Sequence, residues 1–361
     1  MEVDSPSPPR QDSHLPWIEK YRPSGLEEVV AQEHIVSTLK RFINQKQLPH
    51  LLFYGPPGTG KTSTALACCR ALYGPTFGSM VLELNASDER GIATVRDRIV
   101  SFASTSSVSF RSATADRVGF KMVILDEADA MTNIAQAALR RIIEKYTKHV
   151  RFVLICNYAA RLIPALQSRC TRMRFGPLGL EKVSDRVKEI AALENVRMTP
   201  CGLQALLRLT HGDMRRALNI LQAAHASVSD EADPSTSGGT DTGAVNATAI
   251  YQTTGHPHPD DVELAFKWLL NEDYVGTISR LEDLTRNKGI ALQDLVREIH
   301  PLVPLLDIPK EARIFLLDQL SELEYSLAQG CSEHLQIGFL VGFFQECRLV
   351  ISRFVAPAAS S

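Results

Sequence analysis

The sequence predicts an α/β protein with a parallel, doubly wound sheet, followed by a region built only of helices. A glycine-rich stretch at residues 55–62 has a short apolar run before it and a helical segment after it. Further apolar runs alternate with helical segments as far as about residue 178, which is the pattern of a parallel sheet covered on both faces. From Leu180 onward, apolar residues recur at helical spacing.

The elements of the predicted sheet follow in chain order. Residues 1–14 contain three prolines together with Ser and Asp, which predicts a flexible tail. Order is expected to begin at the aromatic and basic segment 15–23. Short apolar runs predict strands at 51–54, 81–84, 121–125, 151–156 and 171–175. Helical spacing predicts helices at about 33–46, 63–72, 92–103 and 133–146.

The second half of the chain is predicted to be helical. Helices are expected near 181–194, 200–210 and 213–226. Residues 229–244 are rich in Asp, Ser, Thr and Gly, and this composition is typical of a flexible linker or insert. The remaining segment, about 246–355, again shows apolar faces at helical spacing.

Bulk composition limits the classes of protein that the chain can be. Its 361 residues suffice for two or three domains, and 44% hydrophobic with 22% charged residues is typical of a soluble globular protein. The net charge of −2 gives no support for nucleic-acid binding by the chain as a whole. Seven cysteines without a Cys-x2-Cys pair argue against a zinc module and suit a reducing compartment. No apolar run approaches membrane-spanning length, and the polar start is not that of a signal peptide.

The glycine-rich stretch fits the pattern Gly-x4-Gly-Lys-Ser/Thr in the strand–loop–helix context that this motif requires. Its residues are Gly55, Pro56, Pro57, Gly58, Thr59, Gly60, Lys61 and Thr62. Glycines let backbone N–H groups turn toward a phosphate, and the helix N-terminus adds a favourable dipole. Lys61 is suited to reach the β- and γ-phosphates, and the Thr62 hydroxyl is suited to ligate Mg²⁺. The stretch therefore predicts a nucleoside triphosphate site.

A pair of acids at the end of another predicted strand supplies the second part of such a site. Asp126 follows the apolar run 121–125 and fits the role of holding Mg²⁺. Glu127 then fits as the base that polarises the attacking water. The tetrapeptide Asp-Glu-Ala-Asp is weak evidence by itself, because it occurs again at 230–233 with no apolar strand before it.

Three polar residues further along the chain are ambiguous when each is taken alone. Asn157 follows the strand 151–156 and is suited either to bond a γ-phosphate or to cap a turn. Arg169, in Ser-Arg-Cys, is suited to reach a neighbouring subunit's nucleotide as an arginine finger. Arg215, in Gly-Asp-Met-Arg-Arg, lies in the helical region expected to cover the nucleotide. For each arginine alone, a solvated surface position is the simpler interpretation.

Taken together, these motifs resemble a known family. The order and spacing of segments 17–23, 55–62, 126–129, 168–170 and 212–215, with Asn157, resemble those of the replication factor C small subunits. These are clamp-loader subunits within the AAA+ ATPases. The resemblance covers about residues 15–355, and the insert at 229–244 departs from it without touching a motif.

The resemblance implies a domain organisation and roles for particular residues. It implies a tail at 1–14, an AAA+ α/β domain at 15–178, a helical lid at 179–228, a flexible insert at 229–245, a helical collar at 246–355 and a tail at 356–361. It implies ATP and Mg²⁺ as cofactors, with Tyr21, Arg22 and Val30 around the adenine. Lys61 and Thr62 would hold phosphates and Mg²⁺, while Asn157 and Arg215 would sense the nucleotide. Arg169 would act in trans on the next subunit.

The resemblance also implies partners. They are four other subunits in a hetero-pentamer, a ring-shaped sliding clamp, and primer–template DNA held by its phosphates, all in the nucleus. Residues 136–174 carry nine Lys or Arg and one acid, which favours DNA contact but is equally typical of solvated helix faces and subunit contacts. Arg90 is the first candidate for a phosphate contact. Two rival functions remain open: an ATP-binding structural subunit with little hydrolysis, and a DNA helicase, against which the lack of a second RecA-like domain argues.

Overall fold

A computed structural model of the chain describes residues 15–30, 32–87, 92–104, 119–230 and 243–355. The chain divides into two compact units. The first comprises residues up to Met198 together with 206–222, and the second comprises 199–205 together with the chain from Ala223 onward.

The first unit contains a five-stranded parallel sheet in the order β2-β3-β4-β1-β5. The strands are β1 Leu51–Tyr54, β2 Val81–Asn85, β3 Lys121–Asp126, β4 Val150–Cys156 and β5 Thr171–Arg174. The central strands β1, β3 and β4 are almost continuously buried, as expected for a parallel sheet covered on both faces. At the edge, three of the four residues of β5 are exposed, and only Met173 is buried.

Helices cover the two faces of this sheet. Those that begin in the first unit are α1 Trp17–Lys20, α2 Glu33–Asn44, α3 Lys61–Tyr73, α4 Phe77–Met80, α5 Ile92–Ser104, α6 Asn133–Tyr146, α7 Pro164–Gln167, α8 Leu180–Leu193 and α10 Met214–Asp230. Leu51 and Phe53 of β1 pack in one core with α2 and α3, whereas Leu52 packs in a second core with α5 and α6. Alternate residues of a strand point to opposite faces, so the two cores confirm the doubly wound sheet.

The second unit is helical over its described residues. Its helices are α11 Ala247–Thr254, α12 Pro259–Asn271, α13 Tyr274–Lys288, α14 Leu292–Ile299, α15 Lys310–Ala328 and α16 Glu333–Val355, while α9 Pro200–Thr210 and α10 each contribute to both units. One core unites α12 to α16, with Leu269, Leu295, Leu320 and Phe344 among its most buried members. No helix in the described part of the chain is both long and apolar enough to span a bilayer.

The predicted strands and long helices are confirmed to within three residues at nearly every end. Residues 180–198 and 206–222 group with the sheet, whereas 199–205 group with the second unit. A separate lid at 179–228 therefore stays a prediction, as do the other predicted domain boundaries. The tails at 1–14 and 356–361 and most of the insert, 231–242, lie outside the described residues. One-turn elements such as α1 and α4 were not predicted, because four residues carry no periodicity.

Candidate nucleotide site

The strand order brings the predicted site residues to one edge of the sheet. The glycine-rich loop joins the end of β1 to α3, and β4 and then β3 lie next to β1. Asp126 ends β3, and Asn157 follows β4 directly. In an open α/β sheet, ligands bind outside the carboxyl ends of the strands, and a pocket lies here, with Lys61, Asp126 and Asn157 in its wall.

Lys61 lines this pocket and is 8% exposed. Its ammonium group donates to the carbonyl oxygens of Gly55 and Pro56, both at 2.8 Å, and to Oδ1 of Asn157 at 2.9 Å. Burial lowers the pKa of Lys61, and the charge of Asp126 opposes that shift. The three acceptors fix the ammonium group at the base of the loop, from which a lysine side chain reaches a bound phosphate.

The loop has the backbone that its glycines allow. Gly55, Gly58 and Gly60 all have positive φ, and α3 begins immediately after Gly60, so its first N–H groups face the pocket region. Gly55 is buried against Phe175, whose carbonyl oxygen would lie 2.0 Å from an added Cβ. Gly55 and Pro56 are not pocket-lining residues, although both were predicted to bind the cofactor. Their carbonyl groups hold Lys61 instead.

The first residue of the acid pair is held in place by two hydrogen bonds. Thr62 Oγ1 donates to Asp126 Oδ2 at 2.6 Å, and the N–H group of Glu127 donates to Asp126 Oδ1 at 2.8 Å. The carboxylate of Asp126 is therefore fixed through both oxygens. Glu127 is exposed into the pocket and has a φ of 53°, a left-handed conformation that costs a non-glycine residue about 1–2 kcal/mol. Such strain is concentrated at functional sites.

Asn157 is positioned by an acid that the sequence analysis left without a role. Asp129, the last residue of the Asp-Glu-Ala-Asp segment, accepts hydrogen bonds from the N–H groups of Asn157 and Tyr158 at 3.2 and 3.1 Å. Asp129 thus ties the end of β4 to the turn after β3. The sequence offered only the tetrapeptide as a signal, because the partners are 28 and 29 positions away.

The remaining walls of the pocket come from the N-terminal segment and from α10. Tyr21, Arg22 and Val30 line it, as predicted for the adenine side, together with Ile18 and Val29. Arg215, in the first turn of α10, also lines it. Asp213 connects this helix to the phosphate loop: its Oδ1 accepts from the N–H group of Arg216 at 3.1 Å and lies where a Cβ on Gly58 would be, only 1.7 Å away.

Arg169 lies outside this pocket lining. Its guanidinium group contacts Glu144 of α6 at 2.5 Å and donates to the carbonyl oxygen of Ala165 at 2.6 Å. Glu144 also accepts from Arg140 at 3.0 Å. The side chain of Arg169 is 32% exposed, so it remains accessible at the surface of this subunit.

A second polar residue missed by the sequence analysis supports the segment that leads to Arg169. Gln136 is 1% exposed and lies on the otherwise apolar face of α6. Its amide donates to the carbonyl oxygens of Met131 and Arg161, both at 3.1 Å, and accepts from the N–H group of Ile163 at 2.8 Å. A polar residue at a core position of the helix was the available signal.

Other predicted residues cannot be placed or have structural contacts. Arg90 lies outside the described residues. Within the basic region, Arg151 packs on Phe120 and bonds the carbonyl oxygen of Leu48, and Arg172 packs on Tyr54. Arg140 and Arg141 are exposed on α6. Part of this positive charge is therefore structural. Among the described residues, no cluster of three or more His, Cys, Asp or Glu side chains could hold a metal ion.

Two family models match the chain. The model of the ATPase family associated with various cellular activities (AAA) matches residues 51–178, which contain the sheet and the acid pair. The model of the replication factor C C-terminal domain matches residues 257–342, within the helical unit. The first match supports ATPase activity and implies that the chain binds a nucleotide.

Relatives match over nearly the whole chain. Replication factor C subunit 3 of Schizosaccharomyces pombe is 47% identical over 341 residues, covering 94% of this chain and 93% of that protein. Replication factor C subunit 5 of Mus musculus and that of Homo sapiens are each 48% identical over 339 residues, covering 94% of both chains.

Solved structures support the fold. The Thermotoga maritima RuvB Holliday junction branch migration motor superposes with a TM-score of 0.50 at 15% identity, covering 76% of this chain and 88% of that one. At this identity the likeness concerns the fold alone. From the two family models and the extent of the match to named subunits, the chain belongs to the replication factor C subunit family of AAA ATPases.

Proposed function

We propose that the chain is an ATP-hydrolysing subunit of a pentameric clamp loader, which opens a ring-shaped sliding clamp and places it on primer–template DNA in replication and repair. One observation carries the proposal. Lys61, Asp126, Glu127 and Asn157, the residues suited to bind the nucleotide and activate water, line one pocket, whereas Arg169 is held outside its lining. This division is expected of an ATPase whose sites are completed between subunits.

The pocket residues supply the functions that phosphoryl transfer needs. Lys61 neutralises charge on the transferring phosphate, and the first N–H groups of α3 bind the phosphate oxygens. Glu127 accepts a proton from the attacking water, and the side-chain amide of Asn157 orients that water or the γ-phosphate. Asp129 holds the backbone of Asn157 in place. Arg215 contributes a further positive charge from α10.

The oxygens of Thr62 and Asp126 fit a magnesium ion. They lie 2.6 Å apart, and a hydroxyl with one carboxylate is the sparse protein ligand set that Mg²⁺ takes when nucleotide phosphates provide further oxygens. The lack of a larger acidic cluster among the described residues agrees with that arrangement. When bound, the ion would be held by Thr62 and Asp126 and would offset the negative charge of the phosphates.

Arg169 is proposed to act on the nucleotide of an adjacent subunit. Its contacts to Glu144 and to Ala165 limit the rotation of a long side chain, whose free rotamers carry about 2 kcal/mol of entropy. A guanidinium group held in this way is pre-organised to meet the γ-phosphate of the next subunit. The chain would thus bind ATP in its own pocket and also contribute Arg169 to the nucleotide site of the adjacent subunit.

Family membership supports the partners and the location that we propose. Replication factor C subunits act together, so we assign four further subunits, a sliding clamp and DNA as partners, and the nucleus as location. Exposed Arg140 and Arg141 on α6 support phosphate contact, which carries no sequence preference. The helix α5 is a weak candidate for a contact with the clamp, because Ile99 is fully buried and Phe102 packs partly against the same core.

Co-purification and a loading assay test the function. The tagged chain should bring down four related subunits, and the complex should transfer a ring clamp to primed DNA in an ATP-dependent reaction. Lys61→Ala should remove nucleotide from this subunit, since a buried charge partner of the phosphates is lost. Single-turnover hydrolysis in the complex distinguishes a hydrolysing subunit from one that binds ATP in a purely structural role, since the latter would show little hydrolysis at its own site. Strand displacement without clamp transfer would instead support a helicase.

A further inference from the structure

The N-terminal segment that forms part of the pocket wall contains little regular secondary structure. Besides the phosphate loop, Ile18, Tyr21 and Arg22 line the pocket. Because the phosphates lie on the loop, these residues are where the base is expected. Their only helix is α1, a single turn with no side-chain cap. An isolated turn is unstable in water, so long-range contacts must position this wall.

Two such contacts involve the helices of the same unit. Trp17 is 8% exposed, and its N–H group donates to the side-chain carbonyl of Gln222 on α10 at 3.1 Å. The second contact is a carboxylate at the end of α8. Glu194 Oε1 accepts from Nζ of Lys20 at 2.5 Å and from Oη of Tyr21 at 2.5 Å.

The Glu194 contact is partly shielded from water. The side chains of Lys20 and Glu194 are 24% and 17% exposed. The hydrogen bond to Glu194 raises the pKa of Lys20, while burial, followed by the same hydrogen bond, raises the pKa of Tyr21. Both groups therefore keep their protons at neutral pH, and both donate to one carboxylate oxygen. Charge-assisted hydrogen bonds of this type are stronger than neutral ones.

We propose that Glu194 is a positioning residue for base recognition, which holds Tyr21 in the wall of the nucleotide pocket without touching the nucleotide. Glu194 does not line the pocket, whereas Tyr21 does. The inference rests on the proposed function, since it places the adenine of ATP against the N-terminal segment. It also joins base recognition to α8, 173 positions along the chain from Tyr21.

The consequence is a selective effect on the base. Lys61, Thr62 and Asn157 lie on the expected phosphate side of the pocket, and their side-chain hydrogen bonds go to Gly55, Pro56 and Asp126 and to one another. ATP and GTP share their phosphates and differ in the base, so loss of Glu194 should weaken ATP binding more than GTP binding. A displaced hydrogen-bonded wall is expected to lower ATP affinity about tenfold. A purely structural role would lower both affinities together.

The experiment uses the full chain in its co-purified complex. ATP labelled at the α-phosphate is crosslinked by ultraviolet light, and the label on this chain is read after denaturing electrophoresis. Unlabelled ATP and GTP are titrated as competitors, which gives the ratio of the concentrations that halve the label. Glu194→Ala should raise the ATP concentration that halves the label about tenfold. The ratio of the GTP concentration to the ATP concentration that halves the label should fall at least about threefold. Glu194→Gln retains an acceptor oxygen for both donors, and its ratio should lie between those of Glu194→Ala and the wild type.

Glu189→Ala is the matched control, because it removes an exposed carboxylate from α8 that pairs, within the part of the chain that the structure describes, with Arg186. Its GTP-to-ATP ratio should equal that of the wild type. Melting temperatures of all three variants separate folding from recognition. An unchanged ratio in Glu194→Ala, or an equal loss for both nucleotides, would overturn the inference. Wild-type label that unlabelled ATP cannot displace would instead refute nucleotide binding at this site, and hence the proposed function.

Discussion

At the scale of single residues, Glu127 is the residue whose chemistry can be tested most directly. It faces the pocket, and its backbone N–H group rather than its side chain holds Asp126. Glu127→Gln should therefore keep ATP and Mg²⁺ bound while slowing hydrolysis by about 10²-fold or more, because the base is lost and the shape is kept. Single-turnover hydrolysis and nucleotide occupancy in the complex measure the two effects.

The matched control for Glu127 is Glu83→Gln, which changes an exposed acid of β2 away from the pocket. It should leave both quantities unchanged. A Glu127→Gln variant with wild-type turnover at this subunit's site would show that another group accepts the proton.

His50 provides a residue-scale prediction on pH. It is 8% exposed, Nδ1 accepts from the N–H group of Phe152 at 3.2 Å, and burial, with a contribution from Arg151, lowers its pKa from 6.5 to about 4. Between these two pKa values, His50 binds a proton in the unfolded chain but stays neutral in the folded chain. The contribution of neutral His50 to the free energy of unfolding is fully present above pH 6.5 and is lost as the pH falls toward 4. Between pH 7 and 5 this loss is about 2 kcal/mol.

Denaturant unfolding at pH 7 and pH 5 measures this contribution. His50→Asn keeps an acceptor for Phe152 but cannot take up the proton, so its loss of stability over that interval should be smaller than that of the wild type by about 2 kcal/mol. His34→Asn, at an exposed position of α2, should behave as the wild type. Equal losses in the wild type and His50→Asn would contradict the assignment.

At the scale of elements, the phosphate loop and α10 are built against each other. Gly58 and Gly60 both have positive φ, at +68° and +87°, so alanine strains either by about 1–2 kcal/mol. Only at Gly58 does the new Cβ meet Asp213, at 1.7 Å; at Gly60 the nearest atom is 4.0 Å away. Gly58→Ala should therefore displace the residue that caps α10, which costs about a further 1 kcal/mol.

Melting of the chain without nucleotide compares the two variants. Gly58→Ala should melt below Gly60→Ala, and it should also show the larger loss of ATP affinity, since Arg215 follows Asp213 on the displaced helix. Equal melting temperatures for the two variants would show that the Asp213 side chain moves aside at no cost and that the contact does not couple the loop to α10.

The elements differ in how far the sequence could predict them. Strands such as β3 and β4 were predictable because a parallel sheet buried on both faces requires continuous apolar runs. The phosphate loop was predictable because its chemistry lies in consecutive residues. Glu194, Asp129 and Gln136 were not assigned roles, because most of their hydrogen-bond partners lie 25 to 174 positions away in the sequence. Only the folded backbone shows which carboxylate meets which donor.

At the scale of the whole molecule, the division of labour between Lys61 and Arg169 is the main expectation. Arg169→Ala should leave ATP binding by this subunit intact and should depress hydrolysis at the adjacent subunit by about 10³-fold, and only after assembly. Lys61→Ala should empty this subunit's own pocket. Nucleotide occupancy at each site in both complexes measures the difference.

The control for Arg169 is Arg140→Ala, which removes the other arginine that Glu144 binds. Basal hydrolysis without DNA should be close to that of the wild type, because Arg169 keeps its contacts to Glu144 and Ala165. Loss of nucleotide from this subunit's own pocket in Arg169→Ala would show that the arginine acts in cis, and the proposed ring mechanism would then be wrong.

The exposed edge strand β5 has a further consequence for the chain before it is assembled. An unpaired edge is a template on which a second chain can add a strand and begin to aggregate. β5 is only four residues long, and Arg172 and Arg174 are exposed on it, with Arg172 packed over Tyr54. A second copy brought alongside would have to accommodate the same two positive charges at close range. The short length and the two positive charges of this edge are therefore expected to disfavour strand addition by a second copy of the chain.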